Sequence, residues 1–312
     1  AYYWPELGAN QPGLAREAVI VGVIVTIMVI NVLGIKQSAW VVNTLTIGKL
    51  TPLVIFILLG LPYVTFDALR PDVSLTWTQI STSALLLIFA YGGYEVVGVP
   101  AGETKNPKTA VPFAMVMTII VVGIVMTLAQ VVAMGTLPNI AASQRPLADA
   151  ALIFMGAWGA LLMTTGGAVS MTGNNMGQAL SGSRNLFALA EQGDLPSFFG
   201  KVHPKFHTPA TAIIITSLVA LALALFGDFV TLAASSAVSR LLVYAGTCAS
   251  VLVLRRQGPA AFTIPGGPVV PVVALVISLA ILGGATSLQL QVGGYALVAG
   301  AVLFAIARWR SR

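Results

Sequence analysis

The stretch Ser83–Pro112, SALLLIFAYGGYEVVGVPAGETKNPKTAVP, decides how the chain is read. It begins as a hydrophobic helix and stalls at Tyr91-Gly92-Gly93. A carboxylate, Glu95, follows while the sequence is still apolar, and the run ends in a polar loop with Glu103, Lys105 and Lys108. Each glycine inside a helix costs about 1 kcal/mol against alanine, so the pair marks a weak point. Within a bilayer, backbone released from helical hydrogen bonding persists only where it is buried in protein or lines a watery cavity. Small residues also let membrane helices approach closely, and glycines alone would favour that reading. Glycines followed at once by an intramembrane carboxylate point instead to a binding site built at a broken helix.

The rest of the chain fits a membrane setting. Of its 312 residues, 57% are hydrophobic and 8% charged, with a mean hydropathy of +0.92. A soluble domain carries about 25% charged residues. Crossing the hydrocarbon takes about 20 apolar residues per helix. Such runs lie near Ala18–Leu33, Ala39–Leu61, Ile80–Val99, Pro112–Gly135, Leu147–Gln178, Pro209–Phe226, Phe229–Leu254, Pro268–Ala285 and Val292–Ala307. The expected fold class is an all-α polytopic membrane protein, residues 1–312 forming a single transmembrane domain.

A net charge of +6 could suggest a nucleic-acid partner, but the charges are placed by topology. With the Lys36 loop in the cytoplasm and sides alternating, Lys105, Lys108, Arg184, Lys201, Lys205, Arg255, Arg256 and the C-terminal arginines all fall inside. Only Arg16, Arg70 and Arg145 fall outside, the positive-inside bias of an inserted protein. The C-terminus is therefore expected in the cytoplasm and the N-terminus outside. Ala1–Gly13 reads as an external loop rather than a start, with no signal peptide, so the chain is expected to be a fragment lacking its first helices. The single cysteine, Cys248, carries no redox signal.

Ionisable and polar residues inside the spans are the candidates for function. Lys49 lies about ten residues into the second span, too deep for easy snorkelling, and is expected to face a cavity with a partner. Asn174 and Gln178, four apart in the long fifth run, share a helix face; they serve either neighbouring helices or a ligand. Arg240, in mid-span after Ser235 and Ser236, needs a carboxylate such as Glu95 or one in the absent N-terminal part. Ser181–Thr208 reads as an amphipathic interfacial helix and loop on the cytoplasmic side. Its His203 and His207 are separated by Pro204 and have no acidic or Cys neighbours, so a solvated loop is expected rather than a metal site. No Walker loop, dinucleotide fingerprint or HExxH motif is present, and no enzyme is expected.

Phe89–Pro112 resembles the sixth-helix signature of permeases of the amino acid–polyamine–organocation (APC) superfamily: aromatic-x-x-x-Gly-aromatic-Glu, then Ala-Gly-Glu, then Lys-Asn-Pro and a later Pro. SRNLFALAEQGDLPSFFGKVHPKFHTP, Ser183–Pro209, resembles the segment after helix eight, with Gln192-Gly193-Asp194 where Arg-Asp-Gly is usual. NTLTIGKLTPL (Asn43–Leu53) and LVYAGTCASVLVLRR (Leu242–Arg256) are similar to helices five and ten. The resemblance implies an inverted-repeat transporter fold with helices one and six broken at the midplane. This chain would then supply helices four to twelve, with the first three missing.

For the site, the resemblance implies that the break at Ala90-Tyr91-Gly92-Gly93, with Tyr94 beside it, offers backbone groups to an amino acid. Phe89 would be an aromatic gate, and Gln178 with Ser235 or Ser236 would line the pocket from helices eight and ten. Lys49 matches a helix-five lysine that takes a sodium ion's place in some proton-coupled members, and Glu95 joins it as a coupling candidate. The implied function is a secondary active amino acid transporter, proton-coupled and working by alternating access in the cell membrane. Its partners would be an amino acid, protons and the lipid bilayer, with no cofactor and no nucleic acid. The alternatives are an amino acid or polyamine exchanger, and a non-transporting scaffold or sensor on a permease fold. The fragment alone is expected not to transport.

Overall fold

A computed structural model describes residues 13–34, 39–70, 74–95, 105–258, 263 and 266–310. The segment 1–12, Lys36, Glu103 and the 96–99 end of the third expected run lie outside the described residues. Among the described residues there are nine α-helices and no strand: α1 (Leu14–Leu33), α2 (Ala39–Gly60), α3 (Trp77–Tyr91), α4 (Pro107–Thr136), α5 (Pro146–Glu191), α6 (Ala210–Phe226), α7 (Phe229–Leu254), α8 (Val269–Leu282) and α9 (Ser287–Arg310). Six contain a stretch long and apolar enough to cross a membrane, and α3, α6 and α8 are shorter apolar helices. The chain is an all-α polytopic membrane protein.

Local chemistry sets the helix ends. Thr76 and Gln79 form a capping box, so α3 begins at Trp77, a turn before the apolar run does. Asp228 caps α7 by accepting from Val230 N–H (3.0 Å) and Thr231 N–H (3.1 Å). The expected interfacial helix after Ser181 is corrected: residues 181–191 are the last turns of α5, which has 46 residues. That helix stops at a Schellman motif. Gly193 takes φ +80, its N–H donates to Ala190 O (3.1 Å), and Asp194 N–H donates to Leu189 O (2.9 Å). At about 1.5 Å per residue, a 46-residue helix runs roughly 70 Å, more than twice the hydrocarbon thickness. It does not run straight: the backbone leaves the helical region at Gly156 (φ 67°, ψ −161°).

The chain forms two compact units, one of Ala1–Val73, Ile120–Ser183 and Val202–Ser217, the other of Ser74–Ile119, Arg184–Lys201 and Leu218–Arg312. In the first, Phe56 and Ile57 of α2, Val132 and Ala133 of α4, and Ala150, Ala151 and Met163 of α5 share a buried core. Phe154 packs between Phe56 (ring centroids 5.4 Å apart) and Tyr63 (5.7 Å). Gly166 meets Pro52 closely: a Cβ there would lie 2.6 Å from the proline ring. The same unit holds the loop before α6. Thr208 Oγ1 donates to Val32 O at the end of α1 (2.8 Å). His203 Nδ1 accepts from Lys205 and Phe206 N–H (3.2 and 3.3 Å), so this histidine folds the loop.

In the second unit α7 is the hub, packed by α3, α8 and α9. Its small Ala237, with Val238 and Leu241, forms a core with Leu85 of α3, closed by Ile88, Phe89, Leu242, Ile281 and Leu282. Ser81 Oγ bonds back to Thr78 O (3.1 Å) and reaches Gly284 O after α8 (3.5 Å), so α3 is fastened at its start as well.

Candidate functional site

The candidate site is where α3 stops. Gly92 N–H gives a last bond to Phe89 O (3.1 Å). Gly92 then turns extended (φ −64°, ψ 143°), and Gly93 takes φ +118°, a conformation that L side chains rarely adopt. The helix breaks at the paired glycines, as their cost in a helix interior predicts.

Glu95 turns back onto this break. Its Oε2 accepts from Gly93 N–H (2.9 Å), so one backbone donor freed by the break is taken by the chain's own carboxylate. Its Oε1 is paired with Arg240 Nη1 of α7 and accepts from Tyr244 Oη (3.4 Å). Arg240 and Tyr244 are four apart and reach the carboxylate from one face of α7. The guanidinium lies so close over Gly92 that a Cβ there would sit 2.6 Å from Arg240 Cζ. Tyr94 meets Tyr244 with ring centroids 6.3 Å apart, and Phe89 meets Phe229 edge-on at 5.9 Å. The side chains of Arg240 and Glu95 are 24% and 33% exposed, so neither charge is fully wetted. Deleting either would leave the other poorly compensated.

Two buried polar atoms of α7 have no hydrogen-bond partner among the described residues: Arg240 Nε and Ser235 Oγ. Ser235 is 5% exposed. A buried donor without a partner is costly, and such atoms commonly mark a place for water or ligand. The carboxylate at the entrance to α7 is different. Asp228 is exposed, and hydrogen bonds from Thr231 and Val230 hold its carboxyl below the usual carboxylate range. Among the described residues no group of His, Cys, Asp and Glu could hold a metal ion.

The second unit therefore brings Phe89, Gly92, Tyr94 and Glu95 against α7, with Tyr91 and Gly93 at the same break. Ala90 is exposed at the end of α3, and Ser236 is half-buried one residue from Ser235. Lys49, Asn174 and Gln178 belong to the first unit. Lys49 lies three residues before buried Pro52, on the face that continues through Phe56 and Gly60, yet it is itself exposed. Asn174 is exposed and Gln178 half-buried on α5. Arg240 has the Glu95 partner that its place in mid-span demands. The roles of Tyr244 and Phe229 are not apparent from the sequence. The one signal for Tyr244 is its spacing of four from Arg240.

Comparison with known proteins bears on the chain as a whole. A family model described as amino acid permease matches residues 9–300. The chain is 29% identical to a methylthioribose transporter of Bacillus subtilis over 79% of its own length and 54% of the relative's. It is 29% identical to the serine/threonine exchanger SteT of Bacillus subtilis, over 90% of this chain and 67% of that one. The branched-chain amino acid permease BcaP of Bacillus subtilis is 28% identical over 82% of this chain and 56% of its own. The chain thus spans about half to two thirds of the length of these relatives.

Proposed function

Since the chain belongs to the amino acid permease family of the APC superfamily, a family of transporters and not of enzymes, we propose that it is the larger part of a secondary transporter moving an amino acid across the cell membrane by alternating access. The observation that carries this reading is the break of α3 at Gly92 and Gly93, with its backbone groups facing an intramembrane charge pair. Broken membrane helices supply backbone donors and acceptors at the bilayer midplane, where a substrate's charged ends need them. Phe89, Ala90, Tyr91 and Tyr94 flank the break, Ser235 and Ser236 stand on α7, and Asn174 and Gln178 are the candidates from α5. The substrate class that fits is a neutral amino acid, because Arg240 already has Glu95 as its counter-ion.

Proton coupling through Lys49, with Glu95 as second candidate, is the energetic part of the proposal. A lysine amine on a transport path can release and regain a proton as the path opens to each side. The test is uptake of labelled serine and leucine by the full-length protein in proteoliposomes under an imposed pH gradient. Accumulation that follows the gradient and is lost in Lys49→Ala is expected. Gradient-driven uptake that persists unchanged in Lys49→Ala overturns the coupling role. The exchanger is the second reading, favoured by the likeness to an exchanger. It requires uptake to depend on amino acid loaded inside the vesicle.

A further inference from the structure

The ion pair between Glu95 and Arg240 joins two very different pieces of backbone. Arg240 stands on α7, a helix packed by α3, α8 and α9, between core residues Val238 and Leu241. Glu95 stands just past a helix end, where backbone groups have lost their helical partners. One carboxylate spans the two: Oε2 holds Gly93 N–H at 2.9 Å, and Oε1 is paired with Arg240 and reached by Tyr244. We infer that Arg240 is a positioning residue, acting through Glu95 to latch the broken end of α3 onto α7, and that Gly92 is the seat that lets its guanidinium lie there.

The role of Gly92 follows from its conformation. At φ −64° and ψ 143° its backbone suits any residue, so dihedral strain does not explain a glycine here. What a side chain would displace is Arg240: an added Cβ would lie 2.6 Å from Cζ and 2.8 Å from both Nε and Nη1, so the guanidinium would have to leave its place over the break. Gly93 is the opposite case, with φ +118° and a requirement for glycine set by its backbone. Two adjacent glycines thus do separate work, one bending the chain and one making room for the cation. The partner interactions are specific as well. Lysine at 240 could keep the charge but not lie flat over Gly92 with donors left over for the carboxylate.

In transport terms, which rest on the permease reading above, the latch fixes the break in one geometry. Releasing it would belong to the conformational step more than to substrate recognition. The test is amide hydrogen exchange on the full-length protein in nanodiscs, alongside uptake of labelled serine and leucine. Arg240→Gln is expected to speed exchange across 91–95 about tenfold, with α4 and α8 unchanged. Gly92→Ala is expected to do the same in the unmodified protein and to add nothing in Arg240→Ala, whose methyl side chain clears the seat. Arg240→Lys should recover part of the protection, and turnover should fall severalfold in Arg240→Gln at unchanged KM.

Unchanged exchange at 91–95 overturns the latch. So does acceleration spread evenly over α3, α4 and α8, or a Gly92→Ala effect that persists in full in Arg240→Ala. If exchange responds as expected but the unmodified protein takes up neither amino acid, the latch stands and the transport reading fails. If uptake occurs while exchange does not respond, transport stands and the latch fails.

Discussion

At the scale of single residues, side chains near the break divide by the kind of loss their removal causes. Phe89 presents its ring edge-on to Phe229 and closes the core around Leu85. Phe89→Ala is expected to raise the apparent KM for the transported amino acid severalfold, because an aromatic wall is lost at the break. A KM unaltered in uptake assays would remove Phe89 from the site. Gly93→Ala should destabilise the protein by about 1–3 kcal/mol, the usual cost of forcing a side chain into a glycine-only conformation, read as a lowered midpoint in thermal unfolding. Gly22 gives the contrast: nothing lies within 4 Å of a Cβ placed there. Gly22→Ala should be neutral or stabilising by up to about 1 kcal/mol, since alanine is the better helix former.

Much of the site is legible in the sequence at this scale. A glycine pair, a carboxylate and an arginine in apolar surroundings are costly in a membrane, and cost is what sequence exposes. Arg240 demands a partner, and Glu95 is the carboxylate at hand. Tyr244 and Phe229 carry no such cost, since a tyrosine or phenylalanine in a membrane helix needs no special explanation. Their part emerges only when α3 and α7 are placed side by side.

At the scale of elements, hydropathy locates the helices and capping chemistry corrects their ends. Phe229–Leu254 has the same ends in sequence and structure, because Asp228 starts the helix just where the apolar run starts. For α3 and α5 the two differ. Thr76 and Gln79 begin α3 before its apolar run, and residues 181–191 continue α5 beyond its own. A polar helical turn carries no hydropathy signal, so from sequence it reads as a separate interfacial piece. Gly193, whose φ of +80° closes the end of α5, is the one sequence signal of where the helix stops.

Two predictions belong to helix ends. The cap of α7 depends on an ionised Asp228, whose hydrogen bonds lower its proton affinity relative to the unfolded chain. That contribution is present above the ordinary carboxylate range and is lost as pH falls through the lowered folded value. Thermal midpoints of the protein and of Asp228→Asn, followed against pH, should therefore differ most near neutrality and converge on acidification. At the end of α1, Gly34 takes φ +69°, and a Cβ there would lie 2.9 Å from the Thr208 methyl. Gly34→Ala should lower the unfolding midpoint more than Thr208→Ser, which keeps the hydrogen bond to Val32 O.

At the scale of the whole molecule, composition and charge placement establish the membrane class, and the family match agrees with it over residues 9–300. The coupling residue is the least legible part. Lys49 sits on the face of α2 that is buried further along, yet is exposed itself, so its work depends on what else assembles around that face. This is why Lys49→Ala is read through gradient-driven uptake by the full-length protein rather than through stability.

The pairing of Glu95 with Arg240 also sets a schedule for synthesis. The two residues are separated by 145 positions, and at about 5–20 residues per second the ribosome takes roughly 7–30 s to pass from one to the other. Throughout that interval Glu95, just past the end of the 15-residue α3, is without Arg240. An arginine at mid-helix then makes α7 expensive to insert by itself, by about 2.5–3.5 kcal/mol. The order of synthesis thus leaves Glu95 waiting for Arg240, and the break can take its paired form only once α7 has been made.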